Sequence, residues 1–186
     1  MAIEAEKLIV ALEARTPASA ERNCGSCSLC CKLAKIAELE KPAGEWCKEC
    51  KPGKGCAIYQ DRPAVCRNFQ CAWLQGHMSD TWYPLKSRMV LYEQFPHFIV
   101  LVDPGHQDQW QKEPYLTHLK ARAIKAAENG GLVCIFIGDR RVNVGHVAAA
   151  KTFIMAADDS PESTRLKEYM AERQRMGLPG TIGKSR

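Results

Sequence analysis

No stretch of this chain is apolar for long enough to cross a membrane. Its first residues, MAIEAEKLIVALEA, place Glu4 and Glu6 ahead of a short apolar run, with no basic leader region and no small-residue cleavage site. That pattern predicts neither a secretory signal nor a membrane span, and so a cytoplasmic protein. Basic residues number 26 against 21 acidic, a formal charge of +5, yet they form no block and do not alternate with aromatics. A surface that tracks nucleic acid is therefore not indicated. No Gly-rich phosphate loop follows an apolar run, and neither GxSxG nor HExxH occurs. The five histidines are dispersed, none with the i, i+4 partner of a helical metal pair. No catalytic constellation is recognisable, and whether the chain is an enzyme stays open.

Cysteine is where the sequence is rich. Nine of the ten lie between Cys24 and Cys71: a C-x2-C-x2-C-C run (Cys24, Cys27, Cys30, Cys31), a C-x2-C pair (Cys47, Cys50), then Cys56, Cys66 and Cys71. Two-residue spacing lets both thiolates of a pair turn toward one ion from a single tight loop, so its repetition points to metal. A disulfide framework is the alternative, and a reducing cytosol disfavours it. Metal also alters the charge: nine thiolates holding three divalent ions would bring the formal sum down to about +2. His77, six residues beyond Cys71, is the one histidine near enough in sequence to add a ligand.

In chain order, residues 2–15 read as an amphipathic helix ended by Thr16-Pro17. The cysteine run predicts a helix from Leu29 to Leu39, broken by Lys41-Pro42-Ala43-Gly44. The hexapeptide WCKECK imitates a thioredoxin-type dithiol, but no strand precedes it and no helix follows, so a metal knuckle fits better. Asp61-Arg62-Pro63 reads as a helix start with Asp61 as N-cap, the helix running to about Phe69 and carrying Cys66 inward. Arg62 and Arg67 lie close enough in sequence to support a negatively charged thiolate site.

The run CxxCxxCC followed by GCAIYQDRPAVCRNFQC resembles the YkgJ family of cysteine-cluster proteins, described as a zinc- or iron-chelating domain. The resemblance covers about residues 24–74. It implies metal binding, with Cys24, Cys27, Cys30, Cys31, Cys56, Cys66 and Cys71 as ligands; Cys47 and Cys50 fall in a more variable part of the pattern. Zinc is the expected metal, with an iron–sulfur cluster and a redox role as the alternative, since repeated C-x2-C suits both. Nine thiolates can serve two separate four-coordinate ions with one thiol spare, or three ions that share three of the sulfurs. The expected partners are metal ions and a protein for which such a module would act as scaffold.

Beyond residue 84 an antiparallel β-hairpin–helix–β-hairpin unit is expected. Its elements are strands near Ser87–Glu93 and Phe98–Val102, a helix over Glu113–Asn129, and strands near Leu132–Ile137 and Val142–His146. Val147–Ala157 reads as a covering helix or strand, and Ser160-Pro161-Glu162 opens a charged helix to about Met176. Cys134, inside an apolar strand, reads as core. The loop from Asp103 to Trp110, with Asp108 and His106, is a candidate pocket lining. The chain is thus expected to be α+β. A helix and cysteine-cluster metal region would occupy 1–84, the small antiparallel unit 85–157, and a helix and tail 158–186.

Overall fold

The computed structural model of the chain describes residues 22–147 and 152–176. The helix expected over residues 2–15 and the tail beyond Met176 lie outside the described residues. Short helices α1 (Leu29–Leu33), α2 (Ala64–Asn68) and α3 (Pro84–Ser87) and the ribbon β1 (Cys50–Lys51)–β2 (Gly55–Cys56) make up most of the first half. Strands β3 (Met89–Gln94), β4 (His97–Val102), β5 (Val133–Ile137), β6 (Arg140–Val147) and β7 (Thr152–Ala157) follow, with helix α4 (Tyr115–Glu128) between β4 and β5 and helix α5 (Pro161–Met176) at the end. The α+β class is as expected, and no described helix is long and apolar enough to cross a membrane.

The sheet itself departs from expectation. Its order is β3-β4-β5-β6-β7, and the two hairpins are joined by a parallel pairing of β4 with β5, Val100 opposite Ile135. The sheet is therefore mixed, not antiparallel throughout. The cause is α4: a helix that carries the chain back along the sheet delivers the next strand in the same direction as the last. The apolar run of β5 suits that central place, because such a strand is covered on both faces. On one face Trp82, Tyr115, Leu119 and Ala123 pack on Val100, Val102, Val133 and Ile135. On the other, Leu166 and Met170 of α5 pack on Ile99, Leu132 and Cys134. Alternation along β4 and β5 sends successive side chains to opposite layers.

Packing also crosses residue 84. Ala72, Met78 and Trp82 belong to the core of the sheet, and the Trp82 indole donates to His118 Nδ1 on α4 at 3.0 Å.

α5 starts where its sequence signals. Ser160 Oγ accepts from the Ser163 amide at 3.1 Å, with Pro161 at the first helical position. A polar knot fixes the helix to the sheet: the buried Asn143 donates to Asp158 Oδ1 and to Ser163 Oγ, both at 2.7 Å, and Lys167 Nζ reaches Asp158 at 2.7 Å. The bond from Lys167 first, then that from Asn143, with the charge of Arg141 assisting, hold the Asp158 carboxyl below its ordinary value against its slight burial.

A Cβ on Gly131, between α4 and β5, would overlap the carbonyl oxygen of Pro96 in the β3–β4 turn, so backbone must move to admit it. Gly131→Ala should lower stability by about 1–3 kcal/mol in urea unfolding, whereas Gly105→Ala, with only an ordinary 3.5 Å contact to Asp103, should change it little. For Asp158, the lowered folded pKa means that its stabilisation is complete above the unfolded value of about 3.9 and is lost as pH falls through the folded value. The stability gap between the wild type and Asp158→Asn should be open at neutral pH and close in acid below about pH 4. A gap that stays constant with pH would show that the carboxylate charge contributes nothing.

Candidate metal centre

The cysteine region is built from tight turns stacked on one edge of the sheet. The Cys27 amide donates to the Cys24 carbonyl at 2.7 Å, closing the first C-x2-C into a turn that uses Gly25 at φ +50°. Next comes α1, which carries Cys30 and Cys31. The helix expected to reach Leu39 stops at Leu33: Ala34 is extended at ψ 140°, and only an isolated 3-10 turn forms over Ala37–Leu39. Lys41 explains the stop. Its buried ammonium donates to the carbonyls of Lys32 (2.5 Å) and Ala34, the orphan acceptors of a helix C-terminus.

The second C-x2-C is also a closed turn, with the Cys50 amide donating to the Cys47 carbonyl at 2.9 Å. The Cys47 amide in turn donates to the Cys31 carbonyl at 3.0 Å, which pins this turn against α1. The thioredoxin-like context is absent, since a turn and the β1 strand follow Cys47, not a helix. In the β1–β2 ribbon Cys50 stands opposite Cys56, next to the bond from the Ala57 amide to the Glu49 carbonyl. That makes Cys50 and Cys56 a pair without mutual ladder bonds, for which the Cα separation is about 4.5 Å and the side chains share a face. Two sulfurs on one tetrahedral zinc lie about 3.8 Å apart, so the ribbon suits a shared ion.

Helix α2 begins at Ala64 with Pro63 as its N-cap residue, two positions later than expected with Asp61. Asp61 closes the preceding turn instead, its amide donating to the Ile58 carbonyl at 3.0 Å. α2 carries Cys66, and beyond it Phe69 meets Tyr92 of β3 edge-on, centroids 5.5 Å apart. The Ala72 amide then donates to the Leu91 carbonyl at 2.7 Å, fixing the chain just after Cys71 onto β3. Leu29 and Leu33 of α1 pack on Val90, with Cys27, Cys30 and Cys71 against the same small cluster. Lys32 adds an ion pair to Asp103 at the end of β4, 2.6 Å long.

Cys27, Cys30 and Cys71 pack against the small Leu29–Leu33–Val90 cluster, and Cys50 stands opposite Cys56 in the ribbon. Cys31 lies close enough to Cys24, Cys27 and Cys66 for its charge to oppose their ionisation. Burial, and after it the negative charge of Cys71 and Cys31, push the Cys24 thiol up; burial likewise leads for Cys27 and Cys66. Burial also lifts Cys50, to about 11, with Cys31 next among the causes. Cys31 is raised furthest, first by the bond it makes to Cys30 and then by burial. Burial and neighbouring negative charge both disfavour the thiolate form, and a bound cation acts in the opposite sense. Among the described residues no group of three or more His, Cys, Asp or Glu side chains is placed so that it could hold a metal ion.

Other expected contributors are placed differently. His77 is exposed, its amide tied to the Ala72 carbonyl. Asp103 is buried under Lys32 and the Gly105 amide and Trp110 is turned into the core, so that loop braces the fold. Arg62 stacks 3.6 Å over Tyr59 and its charge eases ionisation of Cys24 and Cys66, while the exposed Arg67 donates to the Arg62 carbonyl at 2.5 Å. Two residues escaped sequence reasoning. Ser28 accepts from the Gly53 amide at 3.3 Å and eases ionisation of the Cys50 thiol through a side-chain hydrogen bond. Lys41 is a buried cation beside Cys47 and Cys31; burial lowers its pKa and the neighbouring thiolates oppose that. Its position just after a helix-length cysteine run was the available signal.

Comparison of the chain with protein-family models, with curated proteins and with solved structures finds no match.

Lys41→Met keeps the bulk of the stem but leaves the Lys32 and Ala34 carbonyls without their charged donor. A loss of about 1–3 kcal/mol is expected in chemical unfolding, with faster amide exchange in α1. Exchange in α1 unchanged from wild type would show that the lysine does not hold the helix end.

Proposed function

We propose that residues 24–71 form a metal-binding module whose clustered thiolates chelate two or three zinc ions, as the resemblance to the YkgJ family implies. The observation that carries this reading is the pair of closed C-x2-C turns, joined by the bond from the Cys47 amide to the Cys31 carbonyl, with Cys50 opposite Cys56 in the adjoining ribbon. Cys24, Cys27, Cys30, Cys31, Cys47, Cys50, Cys56, Cys66 and Cys71 would be the ligands. The donor set suits a soft or borderline cation: sulfur only, with closed turns carrying the paired thiols.

A second support is the poverty of the module's own core. Its buried aliphatic side chains are Leu29, Leu33 and Ile36, spread over roughly fifty residues of turns. Segments with so little to bury are held by cross-links, and thiolate–metal bonds supply them. Lys41 and Arg62 would offset part of the net negative charge that a thiolate-rich centre carries. The role of such a module is structural, an interaction scaffold or metal handling.

The test is elemental analysis of protein purified without oxygen, with native thiol titration alongside. Two or three zinc per chain and protected thiols are expected. Removing zinc with a chelator should loosen residues 24–71 in hydrogen exchange, while β4 and β5 stay protected by their own apolar core. A coloured protein with iron and acid-labile sulfide would replace zinc by an iron–sulfur centre. Metal-free protein with unchanged exchange would sink metal binding altogether.

A further inference from the structure

We propose that two copies of this chain pair through β7, antiparallel about a two-fold axis at Ile154, and so join two five-stranded sheets into one.

β7 is the outer strand of the sheet opposite β3, and it pairs with β6 on one side. The Asp158 amide donates to the Arg141 carbonyl at 3.0 Å, which makes these two residues a mutually bonded pair. Bonded pairs recur at every second residue, so Ala156, Ile154 and Thr152 turn their backbone groups toward β6. Phe153, Met155 and Ala157 turn theirs outward. The Ala157 carbonyl is taken, since it accepts from the Ser160 amide at 3.0 Å and from Ser160 Oγ at 2.8 Å. The amides and carbonyls of Phe153 and Met155 have no partner among the described residues. Backbone left in this way on an outer strand is a template for another strand. Natural edges are guarded by lysine, proline or a bulge, and Thr152–Ala157 carries none of them.

A second copy is the occupant that these groups fit. Phe153 and Met155 each offer one donor and one acceptor, and they lie one residue to either side of Ile154. That set is its own complement. With Ile154 opposite Ile154 of the partner subunit, each Phe153 faces Met155 of the partner subunit, and every one of these amides meets a carbonyl. Side chains match on both faces. On the α4 face Phe153, beside His146 with ring centroids 5.0 Å apart, gains the thioether of a Met155 that is 47% exposed in the single chain. On the α5 face the two Ile154 side chains, each part of the cluster around Leu166 and Met170, meet at the axis. In the sequence Lys151 precedes the strand and the exposed Asp159 follows it, so antiparallel copies bring unlike charges together where parallel copies would bring like ones.

The other edge limits the assembly to two. Along β3, Ser87 Oγ accepts from the Met89 amide and donates to its carbonyl, and the Ala72 amide holds the Leu91 carbonyl. With that edge engaged, pairing through β7 closes on itself and gives a dimer, not a growing filament.

The test is sedimentation of the full chain over a range of concentrations, with amide exchange read on the same samples. Reductant is present so that no intermolecular disulfide contributes. The mass should rise from 20.8 kDa toward twice that value, and the Phe153 and Met155 amides should slow as it does. Met155→Lys should raise the dimer dissociation constant about tenfold or more, because it places a charge on the paired edge. Met155→Pro should act in the same direction by removing an outward donor that β6 does not use. A chain that stays monomeric overturns the proposal; if those two amides are protected in it, a segment of the same chain covers the edge instead. A dimer whose Phe153 and Met155 amides exchange as fast as in the monomer overturns it too, since the copies then meet elsewhere. Mass and exchange are both read on the wild type, so they decide the matter even if neither variant folds.

Discussion

Cysteines of the turn region oppose one another's ionisation beside the sheet edge, and burial adds to that opposition. That opposition shapes the surroundings. Lys41 is taken out of water at the C-terminus of α1, where its charge serves two carbonyls and two nearby sulfurs at once. Arg62 is stacked on Tyr59 within reach of Cys24 and Cys66. A single buried ammonium costs desolvation, and it is retained here because the groups around it are all acceptors or potential anions.

The rest of the chain supplies the rigidity that the turns lack. The sheet is covered on both faces, by α4 with Trp82 and by α5, and its polar knot at Asn143 is fully partnered. The cysteine region is attached to this platform by contacts of several different kinds. Leu29 and Leu33 pack on Val90, Lys32 pairs with Asp103, Phe69 meets Tyr92, and the Ala72 amide bonds to Leu91. Their variety fixes orientation, because a hydrogen bond, an ion pair and an apolar contact constrain different directions.

What could be read from the residues was what is local. Ser160-Pro161 marked the start of α5, the apolar spacing around Leu119 and Ala123 marked α4, and the placing of Cys134 inside an apolar strand marked it as core. The two closed C-x2-C turns were legible from the cysteine spacing. The parallel pairing of β4 with β5 was not, because strand direction depends on where α4 lands and not on either strand's own pattern. The early end of α1 was hidden for a similar reason: it is imposed by a lysine eight residues past Leu33, folding back through space. Lys32 with Asp103 and Ser28 with Gly53 are likewise pairings across the chain, invisible to any window along it.

β3 is the outer strand of the sheet, and its Leu91 carbonyl, which points away from β4, is occupied by Ala72 while Val90 lies beneath α1. An uncovered outer strand with the sequence MVLY would be an apolar template for pairing with another chain. The cysteine region is thus also a guard over that edge. Loosening that region would free the Leu91 carbonyl and uncover Val90, the two features of β3 that another strand would need to pair with it.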